Sequence, residues 1–170
     1  MKIYYASSIR GFNSKEKSFF DTKIVEYLLH HGMVLGGSII NGTFNPFGVT
    51  NLDDAEIHDR EVNWLKESDV LIAEVTYPSL GVGYVISNAI QNGNKILCLY
   101  RPLEKELSAM IKGNKNLKVV EYHTIEEALS SIGKFLSNFE GKIDSTRTIA
   151  EINKKAFKGL ITGKKKYKVL

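Results

Sequence analysis

The sequence predicts a doubly wound α/β domain, and three observations carry that expectation. Short β-rich runs alternate with helical patterns from Lys2 to Phe139. One of the runs, Val70-Leu71-Ile72-Ala73, is continuously apolar, as a parallel strand covered on both faces requires. The chain has 170 residues, 43% hydrophobic and 25% charged. That composition is ordinary for a globular protein, and the length is enough to bury about two-thirds of the unfolded surface without disulfide or metal. Strand–helix alternation gives parallel βαβ units. The expected architecture is a five-stranded parallel sheet in the flavodoxin-like order 2-1-3-4-5, with helices on both faces. One α/β domain is expected over residues 1–140 and a basic extension over 141–170.

The elements follow in order. Residues 2–6 read as a strand. Residues 14–31 read as a helix, with Ser14 as cap and Phe19, Phe20, Ile24, Tyr27 and Leu28 at helical spacing. Gly32 ends it, and Met33-Val34-Leu35 is a second strand. Residues 36–53 are rich in Gly, Asn, Pro and Thr and read as a long loop, of the kind that often carries function. Asp53 or Asp54 caps a helix over 54–67. The strand at 70–73 follows, then a loop over 76–83 and a helix near 83–92. A strand at 95–100, a short helix near 104–112, a strand at 117–122 and a helix at 124–139 complete the body.

Charge separates the body from its extension. The formal net charge is +4. Residues 141–170 hold nine Lys/Arg against Asp144 and Glu151, a local net of +7, which leaves −3 for the other 140 residues. A basic body groove for nucleic acid is therefore not expected. The extension reads more plainly as a solvated basic tail than as a nucleic-acid site. Ile149, Ile152, Ala156, Leu160 and Ile161 fall near one face of a helix there, and a helix packed on a dimer or partner and a disordered tail are both open readings. Apolar runs are too short for a membrane-spanning helix, and the N-terminus lacks a signal-peptide pattern. A lone cysteine, Cys98, inside a strand pattern suggests a cytoplasmic protein with no disulfide framework or zinc cluster. No cofactor or metal is expected.

Ligands of such sheets bind beyond the carboxyl ends of the strands. Ser7-Ser8-Ile9-Arg10-Gly11 lies there, and offers hydroxyls, a cation and a helix N-terminus to an anion. A plain structural turn fits the same residues. Ser79-Leu80-Gly81-Val82-Gly83 is a second hydroxyl-and-glycine turn, without the spacing of a dinucleotide fingerprint or a P-loop. It also reads as a tight connection. Glu61 interrupts the apolar stripe of Ile57, Trp64 and Leu65. A carboxylate there is costly unless hydrogen-bonded, paired or functional, and a Glu at the stripe's edge that reaches solvent is the alternative. His58 and Asp59 make no metal spacing, and His30 and His31 read as surface residues near a helix end. Tyr4 on the first strand reaches toward the loop ends, or is simply a buried Tyr with its hydroxyl satisfied.

Several blocks together exceed these single signals: Ile3-Tyr4 through Ser8-Ile9-Arg10-Gly11, Ile57-His58 through Trp64-Leu65, Ala73-Glu74-Val75-Thr76, PSLGVGY from Pro78, Ile96 through Pro102, and LSAMIKG from Leu107. In this order, over residues 2–139, the chain resembles the 2'-deoxynucleoside 5'-phosphate N-hydrolases, relatives of the nucleoside 2-deoxyribosyltransferases. The resemblance implies a homodimer that cleaves the N-glycosidic bond of a deoxynucleoside monophosphate. It implies that Ser8, Ile9, Arg10, Gly11 and Ser79, with Gly81 and Gly83, cradle the 5'-phosphate. It implies that Ser108, with Met110 beside it, reaches the partner subunit's site, and that Tyr4 is the first-strand catalytic tyrosine.

Three departures qualify it. The resemblance places a nucleophilic glutamate directly after GVGY, where this chain has Val85, and an aspartate on the preceding helix, where it has Glu61. A histidine after the second strand is replaced by the Gly36-Gly37-Ser38 region. Cleavage of an N-glycoside builds oxocarbenium charge that a carboxylate ordinarily stabilises, and valine supplies none. The expected reading is a family protein that binds a nucleoside 5'-phosphate and uses Glu61 to hydrolyse it. The alternative is a catalytically silent nucleotide-binding protein, sensor or sequestering, since loss of a carboxylate reduces repulsion with a phosphate. A changed ligand, such as a ribonucleotide or cyclic nucleotide, is the third reading, with the 36–53 loop as the place of change.

Overall fold

The computed structural model describes residues 1–9, 14–36, 39–40, 43–44, 52–103 and 106–139. Arg10 and Gly11, most of the 36–53 loop and the whole basic extension lie outside the described residues.

Among the described residues, seven strands and five helices follow in the order β1 (Lys2–Ala6), α1 (Lys15–Leu29), β2 (Met33–Leu35), β3 (Ile39–Ile40), β4 (Thr43–Phe44), α2 (Asp54–Glu67), β5 (Val70–Glu74), α3 (Leu80–Gln91), β6 (Lys95–Tyr100), α4 (Ala109–Lys112), β7 (Lys118–Glu121) and α5 (Ile125–Leu136). Five strands form one sheet in the order β2-β1-β5-β6-β7, all pairs parallel. Counted within that sheet, the order is the expected 2-1-3-4-5. The 36–53 segment departs from a pure loop, because β3 and β4 pair antiparallel as a two-residue hairpin against α1.

The helices start where side chains satisfy their orphan N–H groups. Ser14 accepts from the Lys17 N–H at 3.0 Å. Asp53, not Asp54, caps α2, and Glu56 closes a reciprocal capping box with it. Thr124 and Glu127 do the same for α5. Ser79 caps α3, which starts at Leu80, three residues before the expected 83, so Gly81 and Gly83 lie in its first turns. Of the helix expected near 104–112, residues 104 and 105 lie outside the described residues, and the described part is helical over Ala109–Lys112.

The sheet divides the apolar interior in two. Ile3, Tyr5, Ile72 and Leu99 meet Ile24 and Leu28 of α1 and Ile132 and Leu136 of α5. On the other face Tyr4, Ala6, Leu71, Ala73 and Cys98 meet Leu65 of α2 and Val82, Ile86 and Ala89 of α3. Cys98 is fully buried, and burial pushes its thiol up to about 12. At the amino edge of the sheet the Lys2 N–H donates to Asp69 Oδ2 at 2.8 Å, and Asn94 Nδ2 donates to the Ser68 carbonyl at 2.5 Å. At the carboxyl edge Gly36, with φ +144°, takes the chain out of β2, where a Cβ would come within 2.2 Å of the Tyr5 carbonyl oxygen. Among the described residues no helix is long and apolar enough to cross a membrane.

Candidate active site

Strand order sets the location. The chain leaves β1 toward β2 on one side and resumes at β5 on the other, so the switch point, where sheets of this kind hold their ligands, lies between the carboxyl ends of β1 and β5. The register brings those ends side by side, with Ala6 opposite Ala73. Ser7-Ser8 therefore continues β1 beside the turn from β5 to Ser79.

Tyr4 points to the α2 side of the sheet and is 2% exposed. Its hydroxyl donates to Glu61 Oε2 at 2.5 Å, across 57 residues of sequence. Burial raises the phenol's pKa above its ordinary value, and the charge and hydrogen bond of Glu61 raise it further. Tyr4 is thus held as a neutral donor. Glu61, whose side chain is 15% exposed, faces inward from α2, the first of the two readings that its place in the apolar stripe leaves open. Its other oxygen, Oε1, accepts from Arg60 Nε at 3.0 Å and Nη2 at 2.6 Å. Neighbouring helical residues ordinarily diverge. Arg60 reaches back because its guanidinium lies 4.6 Å over the ring of Trp64, one turn on. Both oxygens of Glu61 are therefore engaged, and the carboxylate is fixed in one orientation.

Ser8 is 1% exposed and Ile9 is half-buried. Ser79 is half-buried, with its hydroxyl accepting the Val82 N–H at 3.3 Å. A Cβ at Gly81 would meet only Ser79 Oγ, at 3.9 Å, and one at Gly83 would meet nothing within 4 Å. Glycine in a helix costs up to about 1 kcal/mol relative to alanine, and no contact among the described residues requires it at either place.

Val85, partly buried on α3, packs into the core on the α2 side. Its neighbour Tyr84 contacts His58 Nε2 at 2.9 Å, and His58 Nδ1 lies 2.9 Å from Asp59. Ser108 caps α4 by position but makes no side-chain cap bond, and it is exposed. Met110 is 81% exposed. Of the residues singled out from sequence, the fold joins Tyr4 to Glu61, sets Ser8 and Ser79 at one end of the sheet, and leaves Ser108 and Met110 on the surface. Arg60 and the His58–Tyr84 contact escape sequence reasoning; the Arg60/Trp64 spacing of four is the one local signal. Among the described residues no cluster of His, Cys, Asp and Glu is arranged for a metal.

No family model matches the chain. It is 44% identical over 127 residues to a Nematostella vectensis protein described as a 2'-deoxynucleoside 5'-phosphate N-hydrolase, covering 71% of this chain and 84% of that one. It is 45% identical over 114 residues to the 5-hydroxymethyl-dUMP N-hydrolase of Danio rerio, covering 66% of this chain and 78% of that one. Among solved structures it is similar to the CMP N-glycosidase of Clostridium botulinum, with a TM-score of 0.59 and 18% identity over 79% of this chain and 99% of that one, a likeness of fold. Two relatives above 40% identity, each matched over more than three-quarters of its length, place this chain in the 2'-deoxynucleoside 5'-phosphate N-hydrolase family.

Proposed function

We propose that this protein binds a (deoxy)nucleoside 5'-monophosphate at the carboxyl ends of β1 and β5 and hydrolyses its N-glycosidic bond with Glu61. The observation that carries this is the 2.5 Å hydrogen bond from Tyr4 to Glu61, which fixes a carboxylate that faces inward from α2 onto β1. Ser8, Ile9, Arg10, Gly11 and Ser79 hold the phosphate. Gly81 and Gly83 let ligand or partner backbone come close, which accounts for two glycines that no contact among the described residues requires. As C1' loses the base it gains positive charge, which the oriented carboxylate of Glu61 stabilises while water is drawn in. With Val85 at the nucleophile position no glycosyl-enzyme forms there, so water takes the C1' bond that the base gives up and loses a proton as it does so. The leaving base takes a proton from solvent or from a group at the site.

Val85 and the full engagement of Glu61 by Tyr4 and Arg60 favour a second reading, a silent nucleotide-binding protein. Incubation with a panel of ribo- and deoxynucleoside monophosphates, followed by chromatography of released base, separates the two. Base release that Glu61→Gln abolishes supports the hydrolase. Binding by calorimetry without release selects the silent binder.

The chain acts as a homodimer in this reading, with Ser108 and Met110 entering the partner's site. Support comes from Leu80, 97% exposed, and Met110, large apolar side chains that water covers poorly. Light scattering should give twice the chain mass, and Leu80→Asp should halve it. The body 1–140 is the functional unit and 141–170 an appendage. The cytoplasm is its expected place.

A further inference from the structure

On the α1 side of the sheet, behind the proposed site, lies a second polar assembly that the reaction does not use. Tyr5 lies on this face, and so do Glu74 and Arg101, two residues beyond Ile72 and Leu99. All three are buried. The Thr76 hydroxyl donates to Glu74 Oε1 and accepts the Arg101 N–H at 2.9 Å, and the Tyr122 hydroxyl donates to Glu74 at 3.1 Å. Three strand ends are thereby knitted together.

The assembly meets one part of one helix. The Tyr5 hydroxyl donates to Asp21 Oδ1 at 2.5 Å, and Lys17 Nζ donates to Asp21 Oδ2 at 2.5 Å. Arg101 Nη1 donates to Glu16 Oε1 at 2.6 Å, and its guanidinium lies 4.2 Å over the ring of Phe20. Glu16, Lys17, Phe20 and Asp21 all belong to the first two turns of α1. Its later turns pack through Ile24, Val25 and Leu28, which are apolar. Polar anchorage is thus confined to the end of α1 that faces the carboxyl edge of the sheet, one short segment after Ser8.

Buried ion pairs are poor stabilisers because desolvation offsets much of their attraction, but they fix geometry. The Arg101 side chain is 5% exposed and Glu16 63% exposed, with 85 residues between them, so the pair ties an outer helix turn to the sheet interior. Tyr77 adds a side-chain hydrogen bond to the same guanidinium, while Arg101 Nε is buried without a partner among the described residues.

We propose that Arg101, acting through Glu16, is a positioning residue for the ligand's phosphate: it sets the amino end of α1 against Ser8 and the Ser79 helix without touching the ligand. This rests on the nucleotide reading above. A small shift of a binding group lowers affinity steeply, so loss of the pair weakens recognition of phosphate in particular.

The test is calorimetry with dUMP and with deoxyuridine on wild type, Glu16→Gln, Arg101→Lys and the double variant. Glu16 is on the surface, so Glu16→Gln folds even where Arg101→Lys does not, with an unfolding midpoint within about 3 °C of wild type. The expected result is a loss of about tenfold in dUMP affinity with deoxyuridine unchanged, and a double variant no worse than the worse single one. Equal weakening of both ligands, or full dUMP affinity in Glu16→Gln, overturns the proposal alone. A wild type that binds dUMP no better than deoxyuridine overturns the nucleotide reading and this proposal with it.

Discussion

Tyr4 and Glu61 are joined by a single 2.5 Å hydrogen bond that links the first strand to the second helix. The bond orients the carboxylate from one side while Arg60 holds it from the other. Tyr4→Phe removes the donor and keeps the ring. Base release should fall by about tenfold to a hundredfold, less than for Glu61→Gln, because Arg60 still holds Oε1. The unfolding free energy should drop by about 1 kcal/mol. Steady-state base release and urea titration measure the two effects. Unaltered turnover in Tyr4→Phe removes the tyrosine from the chemistry.

In the proposed reaction Val85 stands where a nucleophilic carboxylate would open a covalent route. Placing a carboxylate there with Val85→Glu should raise base release by on the order of a hundredfold, the scale of one well-placed charge. Intact-mass spectrometry of quenched reactions should show a glycosyl adduct in that variant and none in wild type. An adduct on the wild-type chain would mean that another group attacks C1'.

Gly83 gives opposite signs for folding and binding. A Cβ there would have open space within 4 Å among the described residues beyond its own helix backbone, and helix propensity favours alanine by up to about 1 kcal/mol. Gly83→Ala should therefore raise the unfolding midpoint by a few degrees, roughly 2–5 °C, while weakening nucleotide binding. A variant that is stabilised and binds normally shows that nothing approaches this turn.

Alkaline pH should unfold the protein. Burial raises the pKa values of Tyr4, Tyr5 and Tyr122 above the usual 10.0, with the nearby charges of Glu61, Asp21 and Glu74 adding to the effect. Above about pH 10 the unfolded chain releases these protons and the folded chain keeps them. The unfolded state then binds fewer protons, so stability is fully present below about pH 10 and falls as pH rises past it. Denaturation midpoints at about pH 8 and about pH 10.5 should differ, and Tyr5→Phe should reduce the difference.

What was legible in the sequence was local or periodic. Ser14 and Asp53 announce their helices because a cap acts over three residues, and Val70–Ala73 announces the sheet centre because both its faces are covered. Glu61 is legible as an inward carboxylate through its stripe, but not its partner, since Tyr4 is brought to it by the fold. The start of α3 is missed because Gly81 and Gly83 look like loop residues, yet the Ser79 cap and the packing of Val82 override glycine's reluctance. The β3–β4 hairpin has two residues per strand, too few for any alternation to show. Lys17 and Asp21 look like an ordinary surface pair four residues apart; only the tertiary structure buries them under Tyr5.

The parallel sheet gives the molecule two poles. Lys2, Asp69, Ser68 and Asn94 stitch the amino pole together with hydrogen bonds, at the end of the sheet opposite Ser8 and Ser79. Substitutions at that foot alter how much heat the protein survives, while what it grips is settled at the crown. A stabilised variant for crystallography or ligand screening is best engineered from below.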